Sequence, residues 1–155
     1  MVNEYYPYIP TQQNTIFFFE SIGNQGSIVK AVVFELTKTG KWNLGFGDLG
    51  GDYTIDDKII SNNQDVFKVI STVAKIVYTF IETYSDRIIL IVPVDDKRKI
   101  LYNRVFQRHF KDIDKQFEVI GTIKEYDEPY TTGKIYDEFT LKFKNISNGN
   151  DEFSI

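Results

Sequence analysis

The sequence predicts an α+β fold: a single domain whose N-terminal antiparallel meander continues into a mixed sheet carrying two amphipathic helices. Three observations carry this reading. The runs TIFFFES, SIVKAVVFELT and WNLGFGD are rich in strand formers and are separated only by the turn signals GNQG and KTGK. From Val66 onward, apolar residues recur in helical phase for about five turns. A continuous apolar run, RIILIVPV, then leads to a second amphipathic stretch and two further strand-like runs. The element order is βββ-α-β-α-ββ.

Residues 1–14 hold two prolines and read as an arm or short edge element. The domain is expected over residues 15–145, and residues 146–155 are expected to form a flexible tail. In the first helix, Val66/Phe67, Val69/Ile70, Val73/Ala74, Ile76/Val77, Phe80/Ile81 and Tyr84 make one wide apolar stripe. Lys68, Ser71, Thr72, Lys75, Thr79 and Glu82 fill the other face. Asn62 is the expected N-cap, with Asp65 three residues on. Arg87 to Val94 is the expected internal strand, covered on both faces. The second helix begins at a cap supplied by Asp95 or Asp96. FEVIGTIK and KIYDEFTLKFK are the closing strands, joined by a loop, EYDEPYTTG.

Composition narrows the function. Hydrophobic residues make up 42% of the 155 residues, which excludes general disorder. The net charge is −4, and such a balance argues against broad non-specific nucleic-acid binding. There is no cysteine, so disulfides, thiolate metal sites and a cysteine nucleophile are excluded. His109 is the single histidine, and a half-buried structural role suits its place near a helix end. The N-terminus lacks the pattern of a signal peptide, and no apolar run approaches the about eighteen residues of a membrane span. The expected location is cytoplasmic.

The stretch GFGDLGGDYTIDD, residues 45–57, could suggest a phosphate cradle or a metal loop. No GK[ST] follows it, and Asp48 and Asp52 would repel a pyrophosphate. Its aspartate spacing does not match a calcium loop, which also needs a distal glutamate. The reading is an irregular turn kept wet by its acids; no metal and no cofactor are expected.

At 100° per residue the second helix divides into two faces. Leu101, Tyr102, Val105 and Phe106 share one with Arg98 and His109. Lys97, Arg104, Arg108 and Lys111 cluster on another. An inward arginine in the first turn must be satisfied, by a structural partner such as Asp48 or Asp52 or by a bound anion.

The pieces LGFGD, SNNQDVFKVISTVAKIV, RKILYNRVFQRHF, VIGTI and YDEFTLKF, in this order, resemble a family of small uncharacterised bacterial proteins found largely in Bacteroidota. That resemblance implies no chemistry. The element order is similar to the later part of GNAT-type acyl-CoA N-acetyltransferases, and ILYNRVFQRHF is a loose echo of a helix whose tyrosine is a general acid there. The resemblance implies that role for Tyr102. The pyrophosphate loop of that superfamily is replaced here by DDKIISNNQD.

The leading expectation is a non-catalytic binding or interaction module. Its site is expected where Arg98 and Tyr102 meet the Gly47–Asn63 loop, with Asp48, Asp52, Asn62, Asn63 and Asp65 as further site residues. The expected partner is a small anionic ligand or a protein, with self-association open and no membrane. One alternative is a degenerate GNAT-like acetyltransferase. Another is binding of nucleic acid or an acidic partner through Lys97, Arg104, Arg108 and Lys111.

Overall fold

The computed structural model describes residues 4–24, 26–49, 55–56 and 65–144. The tail expected at 146–155, the expected cap Asn62, and Asp52 and Asn63 lie outside the described residues. The class is α+β, with the N-terminal strands antiparallel and two helices following. The chain divides into two compact units, Met1–Leu36 with Asn43–Tyr84 and Thr37–Trp42 with Ser85–Ile155.

In the first unit, β1 (Tyr8–Thr11) pairs antiparallel with β2 (Ile16–Gly23), and β2 with β3 (Gly26–Leu36). The arm thus contributes an edge strand, and Pro10 is tolerated there because an edge position leaves one side of the ladder unpaired. β4 (Trp42–Leu49) is paired at its end by the two-residue β5 (Ile55–Asp56). Alternation places Phe17, Phe19 and Ser21 of β2 on one buried face with Lys30, Val32 and Phe34 of β3.

Helix α1 (Val66–Thr83) lies on this face, its Phe80 ring stacked on Phe34 at 3.9 Å between centroids. Burying such rings is the main force holding helix to strands, at about 25 cal/mol per Å² of apolar surface. The polar side of α1 is only partly a solvent face: Lys75 and Glu82 are exposed. Thr72 is fully buried and Ser71 nearly so. The stripe Lys68, Thr72, Lys75, Thr79 is occupied by the N-terminal segment. Tyr6 donates its backbone N–H to Thr72 Oγ1, Lys68 Nζ lies over the Tyr6 ring, and Lys75 Nζ over Tyr5. The hydroxyls of Tyr8 and Thr79 are bonded at 2.6 Å.

In the second unit, β6 (Ile88–Ile91) and β7 (Phe117–Ile123) both pair antiparallel with β9 (Glu138–Phe143). The segment expected to be a plain loop contains β8 (Tyr126–Pro129), which forms a hairpin with β7. Acids and a proline hid this strand, and its turn, Lys124–Glu125, lacks the expected glycine. Both turn residues have positive φ, 48° and 73°. A tight hairpin turn of this hand normally takes Asn-Gly. Glu125→Gly should therefore raise the urea midpoint, by a gain of about 0.5–1 kcal/mol from relieved left-handed strain. A lowered midpoint would show that the Glu125 side chain contributes more than its backbone costs.

Helix α2 (Asp96–Ile113) packs through Phe106, whose ring stacks on Phe139 at 4.1 Å. Phe110 meets Tyr130 at 4.8 Å. Tyr136 is fully buried, and its ring lies directly over Gly121 of β7.

Candidate functional site

The expected site residues fall into both units, and each group is held by its own local chemistry. On α2, Asp95 is the N-cap: its Oδ1 accepts the Arg98 backbone N–H at 2.8 Å. Asp96 follows in the first turn, where a carboxylate favours the positive helix end. The Arg98 side chain is turned inward, with the residue only 8% exposed. Tyr102, one turn on, is half-buried. His109 is also half-buried, and burial pushes its imidazole below the ordinary range, so it is neutral near pH 7.

Asn103 was not singled out from the sequence, yet it fastens the helix. Its amide nitrogen donates to the carbonyls of Lys99 and Tyr136, and its oxygen accepts the Tyr136 N–H at 2.8 Å. A buried side-chain amide that closes both backbone groups of one residue acts like one more rung of a ladder. Around it, Lys99 pairs with Asp137 at 2.7 Å, and Tyr136 Oη donates to Glu128 at 2.6 Å, where Lys134 also binds.

These contacts set an acid limit. Hydrogen bonds from Lys134 and then Tyr136 hold Glu128 below the usual carboxylate range; Lys99 and then the Lys124 N–H do the same for Asp137. A depressed folded pKa contributes stability that is present above the unfolded value, near about 4, and is lost as pH falls through the folded value. The melting temperature should decline modestly below about pH 6.5, where the unfolded chain protonates His109 first, and fall more steeply below about pH 4. Glu128→Gln should shrink that fall, and an identical acid limb in the variant contradicts this assignment.

Lys97, Arg104, Arg108 and Lys111 are all exposed and share one strip of α2. Their spacing confines them to an arc of about 60° and a length of about 21 Å. The acids of the helix, Asp96 and Asp112, lie outside that arc.

In the first unit, Asp48 and Asp65 each have partners that sequence reasoning did not assign. Asp48 is buried on β4 and forms an ion pair with Lys30 of β3, itself fully buried. The signal was present: Lys30 is in phase with Val32 and Phe34, a charge on an apolar face. Asp65 stands at the N-cap position of α1, but its side chain caps nothing. Its Oδ2 instead accepts Tyr6 Oη and Ser21 Oγ, both at 2.5 Å. Burial, then the bond to Asp65, pushes the Tyr6 phenol above its ordinary pKa. Among the described residues no group of three or more His, Cys, Asp or Glu is placed to hold a metal ion. No helix among them is long and apolar enough to cross a membrane.

The geometry defines an α+β protein in which the expected site acids Asp48 and Asp65 are tied to Lys30, Tyr6 and Ser21, and whose second helix presents a basic strip. The model of a family of unknown function, DUF6934, matches residues 2–144, and the chain belongs to that family. No curated protein and no solved structure matches it.

Proposed function

We propose that this protein is a non-catalytic interaction module that docks an acidic protein segment along the basic strip of α2. What supports this is one observation: Lys97, Arg104, Arg108 and Lys111 are exposed together on a narrow face, with the acids of the helix outside it. A strip about 21 Å long suits a short acidic helix or extended peptide. An acidic peptide is favoured over nucleic acid because the chain carries a net charge of −4, which repels a long polyanion beyond the strip.

Fluorescent poly-glutamate peptide is the probe. Binding should weaken steeply from low to moderate salt. Arg104→Glu with Arg108→Glu should weaken it about tenfold or more at low salt, about 1.4 kcal/mol. A flat salt response, or tighter binding of a single-stranded oligonucleotide than of the peptide, contradicts the reading.

A second reading rests on Arg98, 8% exposed in the first turn of α2. There it would anchor a small anion, with Tyr102 shaping the site. The alternative of a degenerate acetyltransferase would use the same residues, with Tyr102 as general acid. Acetyl-CoA, which offers both a phosphate and an acyl group, should then raise the melting temperature. No shift at millimolar ligand retires the acetyltransferase alternative.

A further inference from the structure

The link between β1 and β2 is wound the wrong way for its residues. Gln12, Gln13 and Asn14 form a single short 3-10 turn in which all three have positive φ, 49°, 57° and 64°. Left-handed backbone is tolerated by glycine and, less well, by asparagine; glutamine has no such licence. Three consecutive residues of this kind store strain at one joint.

On the far side of that joint lies an arm built to dock. Residues 8–11 pair with β2, from Tyr8 opposite Phe19 to Thr11 opposite Ile16. Ahead of them, Tyr6 is 5% exposed and is held by Thr72, Asp65 and Ile22, and Tyr8 by Thr79. All these groups belong to one unit. A second copy would offer the same groups in the same arrangement.

We infer that this protein forms a strand-exchanged dimer, in which residues 4–11 of each copy leave their own β2 and α1 and occupy those of the other. The exchange keeps every arm contact, because each is remade with an identical partner. What changes is the joint. In the exchanged form Gln12–Asn14 extend, and their left-handed strain is released. Opposing this is a latch that holds the closed turn. Asn14 Nδ2 donates to Thr83 Oγ1, Tyr84 Oη donates to the Gln13 carbonyl, and Thr15 Oγ1 to that of Gln12. Joint strain favours exchange, and the latch resists it.

The opposition gives two variants with opposite signs. The protein is unfolded in urea and refolded at millimolar and at micromolar concentration, and the dimer fraction is read by size exclusion with light scattering. The unmodified chain should yield dimer at the higher concentration. Gln13→Gly, which removes the share of the strain held at Gln13 without touching a latch side chain, should lower that fraction several-fold; Tyr84→Phe, which removes one latch bond, should raise it. Ile9→Cys with Phe18→Cys, opposed across the β1–β2 ladder in a chain that has no other cysteine, identifies the arrangement. Oxidised dimer should run as a covalent dimer on a non-reducing gel. Monomer at every concentration overturns the inference, as does a dimer whose cross-links lie within single chains. A dimer fraction indifferent to Gln13→Gly also overturns it, and that measurement needs no cysteine variant to fold.

Discussion

Asp48→Ala is expected to destabilise the fold by about 3–5 kcal/mol, the largest effect of any single substitution considered. The reason is what remains behind. Lys30 is fully buried, and Asp48 is its ion-pair partner. Removing the carboxylate strands an ammonium group on the buried face of β3, on a residue whose cross-strand neighbour is Phe19, with no exposed surface. The same physics predicts that the pair is not optimal. Asp48 Oδ2 is buried and lacks a hydrogen-bond partner among the described residues. Lys30→Met combined with Asp48→Leu should therefore recover most of the loss, since an apolar pair of similar volume avoids the desolvation cost. Urea unfolding of the two single variants and the double variant measures this. A double variant no more stable than Asp48→Ala would mean that the pair specifies the strand packing itself.

Gly121→Ala is expected to cost about 3 kcal/mol or more. A Cβ at this position would lie 2.6 Å from Cγ of Tyr136 and closer still to two other ring carbons. The ring cannot slide away. Its backbone is clamped on both sides by Asn103, its hydroxyl is bonded to Glu128, and Thr131 donates its N–H to that same hydroxyl at 3.0 Å. Tyr136→Ala would open the space that Gly121→Ala needs, so the two losses should be strongly non-additive. For a chain of this size each kcal/mol moves the melting temperature by about 2–4 °C, well within reach of calorimetry. Simple additivity of the two variants would show that Gly121 matters for some other reason.

These two sites mark what could be read from the letters. Helix periodicity gave both helices, because an apolar stripe repeats over many turns and each turn reinforces the last. It also put Arg98 and Phe106 on the inward side of α2 and the four cations on the outward side. Lys30 was legible in principle from its phase, but the partner was not, since β3 and β4 carry no mark of which residues lie opposite. Gly121 sat in a quoted motif, VIGTI, without any sign that a ring from fifteen residues further on would cover it. What covers the polar stripe of α1 was not legible, for a physical reason. Lys and Thr at helical spacing look alike whether they meet water or the tyrosines of the N-terminal segment. β8 escaped because YDEP offers no apolar alternation, and its pairing rests on backbone hydrogen bonds and on polar side chains such as Asp127, which accepts from Thr122 across the ladder.

The function proposed for α2 is a statement about place, so a measurement that reports place tests it best. In amide chemical-shift mapping with the poly-glutamate peptide, the perturbed signals should centre on Lys97, Arg104, Arg108 and Lys111 and should vanish as salt is raised. Perturbations gathered instead around Arg98 and Tyr102, or on the strands of the first unit, would contradict docking on the basic strip.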